Sequence, residues 1–114
     1  MSVELTAQQA LDLWRRALST SFHDGRPDLS ARQMAIMLSV YTMTPPHTVR
    51  GLSRRLNISK PAVVRALDLL SEHDFVRRRR DEDDKRNVLI QRTVQGSVFL
   101  REFADHVINA AKDL

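Results

Sequence analysis

Between Arg77 and Arg86 the chain reads RRRRDEDDKR, six cations against four acids, a net +2. Chemistry of that kind suits a disordered charge tract, a solvated helix face, or the tip of an element that grips a polyanion. The flanks favour the last. FV before and NVLIQ after are apolar and β-branched, so the two sides read as strands and the charged block as the turn between them. Side chains alternate along a strand, which puts Arg77 and Arg79 on one face and Arg78 and Arg80 on the other. One pair can lie over the protein while the other faces the polyanion, and Arg78 and Arg80 are the pair expected to do so, together with Lys85 and Arg86. The acids are expected to fold back on the arginines and fix their rotamers.

A second cationic set precedes the first, in TVRGLSRRLNISKPAVVRALDLLSEHDF. Val49, Leu52 and Leu56 mark one short amphipathic helix. Asn57 falls where the chain must turn sharply, and asparagine tolerates the left-handed conformation. Ser59 then caps a second helix, with Pro61 in its first turn, where a missing N–H costs nothing. Two short helices joined this way read as a helix-turn-helix over about 48–73. In a helix-turn-helix the second helix enters the major groove of DNA and its N-terminal residues meet base edges. With Val63, Ala66, Leu67 and Leu70 in the core, Lys60, Pro61, Val64, Arg65 and Asp68 face outward.

Arg65 is the candidate for reading guanine, because its planar fork bonds O6 and N7 together. Lys60 suits a phosphate or a base. Ser59, or the free N–H groups at the helix start, suit a phosphate. Ala62 and Val64 offer apolar contact, for example to a thymine methyl, and Pro61 completes the set. Arg54 and Arg55 suit the DNA backbone. The same cations would also suit a solvated face of a core helix, and it is the basic hairpin that tips the reading towards DNA.

The remaining elements position these two. Thr6 with Gln9 and Ser30 with Gln33 are capping boxes that open helices. Leu11, Trp14, Leu18 and Phe22 recur at helical spacing on the first, over about 6–22. HDGRPD breaks it, and TPPH ends the second. The wing spans about 75–92. A long helix over about 93–113 follows Thr93, with Val94, Val98, Phe99, Phe103, Val107 and Ala110 recurring and Gly96 weakening its first turn. The order is four helices, a hairpin and a helix: mainly α with a small β-hairpin, a winged helix-turn-helix in one domain over 1–114.

From about Leu29 to Thr93 this pattern resembles the MarR family of bacterial winged-helix regulators. The resemblance rests on LSRRLNISKPAVVRALDLL and, more specifically, on RRDEDDKRNVLIQRT. Arg79, Arg80, Asp81, Asp84, Arg86 and Thr93 match the family's wing pattern position by position. The resemblance implies that Arg86 enters the minor groove while Asp84 braces it. Narrow minor grooves concentrate negative potential, which agrees with that role; the alternative is an exposed ion pair of little consequence. Three departures stand out: Arg92 replaces an apolar residue, which would leave that strand end exposed. Pro61 and Ala62 replace polar base-reading residues. The chain is shorter than most members and its final helix is one element rather than two.

The resemblance also implies a homodimer built from both terminal helices. Trp14, Phe22, Phe99, Phe103, Val107, Ile108 and Leu114 agree, since one small core cannot easily take them all. Packing of these helices within a monomer is the alternative. A small acidic or phenolic effector is a further implication, and no residue identifies one. The expected function is sequence-specific binding of double-stranded DNA by a transcriptional regulator, acting as a repressor on a pseudo-palindromic site. A winged-helix adaptor or antirepressor without DNA binding, and a dimerisation domain ahead of a methyltransferase, are the other readings.

Composition bounds the rest. The 114 residues carry a net charge of +4 and 28% charged residues, a globular balance that suits an anionic partner. With no cysteine, disulfides and thiolate metal sites are excluded. His23, His47, His73 and His106 have no metal-ligand spacing, so no metal or cofactor is expected. No nucleophile–base pair or glycine-rich phosphate loop supports an enzyme. No apolar run suits a membrane span or a secretory signal, and the expected location is the cytoplasm.

Overall fold

In a computed structural model of the protein, which describes residues 2–22, 25–112 and 114, the elements follow the predicted order. His23 and Asp24 of the HDGRPD break, and Asp113 of the last helix, lie outside the described residues. Helices α1 (Ala7–Thr20), α2 (Ala31–Thr42), α3 (Val49–Leu56) and α4 (Lys60–Glu72) precede strands β1 (Val76–Arg80) and β2 (Val88–Arg92). Helix α5 (Val94–Lys112) is continuous. Two compact units form, Leu29–Val98 in one, and Met1–Asp28 with Phe99–Leu114 in the other.

The helix starts are set by local hydrogen bonds. Thr6 and Gln9 exchange side-chain-to-backbone bonds of 3.0 and 3.1 Å, and Ser30 and Gln33 do so at 2.8 and 3.1 Å. Each box satisfies two donors that a helix start leaves unpaired. Asn57 ends α3 at φ 54° and ψ 47°, the left-handed conformation the turn required. Ser53 then bonds the Ile58 carbonyl at 2.5 Å, closing the turn into α4.

In the Leu29–Val98 unit, α2 packs on α3 and α4, while α4 packs on β1. Ile36, Met37, Val40, Val63, Leu67 and Leu70 are fully buried there. The hairpin is antiparallel, with Val76 opposite Arg92 and Arg80 opposite Val88. Its base continues sideways through a bridge from Leu89 to Thr48 and an Ile90 N–H bond to the His47 carbonyl.

One side chain gathers the two ends of the hairpin. The Tyr41 hydroxyl donates to the Phe75 carbonyl at 2.7 Å and accepts from the Thr93 N–H at 2.9 Å. Thr93 Oγ1 donates to the Asp74 carbonyl at 2.6 Å and caps α5 by accepting from the Gly96 N–H. The sequence reading of Gly96 as a weak start is therefore incomplete. A Cβ there would run into the Tyr41 hydroxyl and the Phe75 carbonyl, so only glycine lets the tyrosine approach. Arg92 is exposed, as expected of that strand end, but its side chain is engaged. Its guanidinium bonds the Val40 and Met43 carbonyls at 2.9 and 3.1 Å, terminating α2, and lies 5.8 Å from the Tyr41 ring centroid.

In the second unit, Ala17, Phe103 and Ala110 are buried. Arg26 pairs with Glu102 and lies over the Phe99 ring. Leu11, Trp14 and Leu18 form an exposed apolar stripe on α1, and Phe22 and Ile108 are exposed as well.

The Tyr41 junction makes a prediction. Gly96→Ala should destabilise by about 1–3 kcal/mol through overpacking, and Tyr41→Phe by about 1–3 kcal/mol through groups left unpaired. The double variant should lose less than the sum, because removing the hydroxyl removes part of the clash. Urea titrations of the four proteins measure this, and strict additivity would contradict it.

Candidate nucleic-acid interface

The cations singled out from sequence gather on the Leu29–Val98 unit, on α3, α4 and the wing. Lys60, Pro61, Val64, Arg65 and Asp68 are exposed along α4, as the helical spacing required. Ala62 is a correction. It is buried, because α4 packs on α2, α3 and β1 at once and its covered arc is wider than one stripe. Its methyl is not on the outward face. Ser59 Oγ accepts the Ala62 N–H at 3.2 Å, so the hydroxyl is committed to the cap as acceptor while its proton stays free for an anion. Arg54 and Arg55 are exposed in the last turn of α3, where the helix dipole favours cations.

The hairpin register sorts the arginines. Residues directly opposite share a face, so Arg78 lies on the same face as buried Ile90, and Val76 and Arg80 share it too. Arg78 is exposed but reaches across to α4. Its Nη1 bonds Asp68 Oδ1 at 2.7 Å, which joins the wing to α4. A free phosphate contact by Arg78, as the sequence suggested, competes with this bond. Arg77, Arg79 and Arg80 are exposed.

The turn's acids act more selectively than expected. Among the described residues, none of the bonds they make reaches the Arg77–Arg80 run. Asp81 Oδ1 accepts the Asp83 N–H at 2.9 Å, a local turn. Asp84 holds Arg86: Oδ1 accepts from Nε at 3.0 Å and from the Arg86 N–H at 3.1 Å, and Oδ2 accepts from Nη2 at 3.1 Å. The fork is bidentate, the geometry that fixes a guanidinium most firmly. Yet the Arg86 side chain stays 89% exposed. A cation this accessible, held in one orientation by its own turn, is available to a further anion. Lys85 is exposed beside it.

The side-chain bond from Arg86 is the main cause that holds the Asp84 carboxyl below its ordinary value of 3.8, followed by the Arg86 backbone N–H and the charge of Arg50. Asp84 in turn raises Arg86.

Two cations that sequence reasoning passed over belong to the same surface. Arg32, in the first turn of α2, borders a shallow cavity of about 170 Å³ with Arg65, Ser30 and Gln33. Arg50, in the first turn of α3, borders a cleft of about 230 Å³ with Lys60 and Arg86. Neither sits in a charge run, so only the fold brings them in.

Comparison with known proteins gives one consistent picture. The MarR family model matches residues 29–88, more than half of the chain. No curated protein matches. Among solved structures, the chain is similar to MepR of S. aureus in a DNA complex, at 17% identity and TM-score 0.73, over 93% of this chain and 82% of that one. It is also similar to the transcriptional repressor CouR bound to a 23-mer duplex, at 20% identity and TM-score 0.71, over 93% and 69%. CouR from Rhodococcus jostii RHA1 bound to p-coumaroyl-CoA matches at 22% identity and TM-score 0.66, over 90% and 68%. At these identities the fold is what is shared.

A lowered carboxyl pKa contributes stability that is complete above the unfolded value and is lost as pH falls through the folded one. The Asp84–Arg86 fork should therefore hold unchanged from pH 8 to pH 5 and release only below the ordinary carboxylate range. The Arg86 Nε–H resonance, followed by NMR, should be flat over that interval and move only in acid. In Asp84→Asn it should show no such transition. A midpoint near neutral pH would contradict the assignment.

Proposed function

The chain belongs to the MarR family, and from that premise we propose that it binds double-stranded DNA sequence-specifically as a transcriptional regulator. It acts as a repressor by occupying promoter DNA. In this reading the N-terminal half of α4 lies in a major groove and the wing tip follows a minor groove. Lys60, Val64 and Arg65 meet base edges, with Pro61 beside them. Ser59, Arg54 and Arg55 hold backbone phosphates, and Arg80 and Lys85 line the wing's approach.

The observation that carries the proposal is Arg86. A guanidinium that is both bidentately fixed and almost wholly exposed is pre-ordered for an anionic surface. Fixing it beforehand reduces the entropy lost when it inserts. Asp84 is thus a positioning residue for Arg86, and Asp68 plays the same part for Arg78. The narrowed outward face of α4 makes Arg65 the main source of base discrimination.

The assembly proposed is a homodimer. Leu11, Trp14 and Leu18 repeat at helical spacing and remain exposed, and a stripe of that kind on a small domain marks a surface meant for a partner. A two-fold dimer would present its recognition helices ~34–36 Å apart on a pseudo-palindromic site. No residue identifies a small-molecule effector. A cytoplasmic location follows from a DNA target, and among the described residues no helix is long and apolar enough to cross a membrane.

Arg65→Ala should cost about 1–3 kcal/mol on the preferred sequence and relax preference at particular base pairs. Arg86→Ala should instead weaken binding broadly, on selected and random duplexes alike. Gel shifts on genomic fragments across a salt series measure both. A steep fall of affinity with salt supports the regulator; a chain that retains no fragment at low salt is an adaptor instead.

A further inference from the structure

We propose that the cleft between α3, α4 and the wing, bordered by Arg50, Lys60 and Arg86, seats a single phosphate group, with Arg50 as its principal ligand. This rests on the DNA reading for the source of the phosphate, a backbone phosphodiester next to the groove that Arg86 enters. The cleft is about 230 Å³ and is lined by Thr48, Val49, Asn87 and Val88 besides the three cations.

The cations come from three different elements and converge. Arg50 stands in the first turn of α3, and Lys60 is the first residue of α4. Neither first turn holds an acid. The start of a helix is its positive end, so a cation placed there opposes the macrodipole rather than complementing it. Two helices that both begin this way, and both open onto one cleft, are not arranged for helix stability. They raise the local positive potential, and the group that lowers the energy of such a place is an anion.

The wing supplies the third side. Arg86 borders the cleft while its head is held by Asp84, whose carboxyl also senses the charge of Arg50. Asp84 fixes the Arg86 fork in one orientation, while Arg50 and Lys60, exposed as well, have no such brace among the described residues. A phosphate bound here would touch the helix-turn-helix and the wing at once. It would hold the wing against the start of α4 in the bound state, as the Asp68–Arg78 bond holds it further along the helix.

The test uses the full chain with Arg50→Gln and Arg50→Lys. Each protein is titrated with a retained duplex across a salt series, then with the same duplex carrying one neutral methylphosphonate linkage at successive positions. The wild type should lose affinity at several linkages, one of them beside the wing in each half-site. Arg50→Gln should be indifferent to that linkage, with a salt slope shallower by about 0.9 per protomer, unchanged base preference, and partial recovery in Arg50→Lys. In parallel, inorganic phosphate is titrated while the amide resonances of Val49, Gly51 and Lys60 are followed. Saturable shifts that Arg50→Gln abolishes, with the DNA profile untouched, would uphold the seat and assign it to a free phosphate. Saturable phosphate binding by a wild type that binds no duplex would overturn the DNA reading and uphold the seat. An Arg50→Gln profile identical to wild type with no saturable phosphate shift overturns the proposal.

Discussion

The hydroxyl of Tyr41 is the contact on which the wing depends. It reaches from α2 to both ends of the hairpin, the Phe75 carbonyl at the entry and the Thr93 N–H at the exit. A two-stranded hairpin is marginal by itself, and this one carries four consecutive arginines in its first strand. It cannot be held by strand pairing alone. Val76 and Ile90 bury its base, Arg92 ties its last residue to the end of α2, and the His47–Thr48 segment adds a partial third strand. Gly96 is the permission for all of this, since any larger residue would occupy the place of the tyrosine oxygen.

Above that base the problem is electrostatic. Like charges along a strand repel, and the chain meets this by choosing which cations to pair. Arg78 is paired to α4 and Arg86 to its own turn, while Arg77, Arg79 and Arg80 make no ion pair among the described residues. The two pairs differ in consequence rather than in strength, because exposed pairs contribute only ~0–1 kcal/mol to folding. Their role is to orient. The first sets the wing relative to α4, and the second aims a guanidinium outward from the wing tip.

The parts that could be read from sequence are those governed by contacts over three or four residues. The Thr6–Gln9 and Ser30–Gln33 boxes, the left-handed Asn57 and the Ser59 cap all act within one turn, so residue identity and spacing determine them. The hairpin was legible because two apolar flanks enclose a charged block. The Tyr41–Thr93 and Arg92–Val40 contacts span 52 residues and leave no local signal. Ala62 was misplaced for a related reason: spacing gives the direction of a helix face but not how many neighbours cover it. Arg32 and Arg50 are single cations in helical first turns, and only the packing of α2, α3 and α4 brings them beside Arg65, Lys60 and Arg86.

In the proposed complex one unit presents α4 and a fixed wing arginine to the same duplex, and two copies do so together. Hydroxyl-radical footprinting of a retained genomic fragment addresses it directly, because cleavage reports the backbone nucleotide by nucleotide. Two protected segments centred about one helical turn apart are expected, each flanked on its outer side by minor-groove protection from a wing. A footprint of one segment without flanking protection, or uniform protection along the fragment, would contradict it.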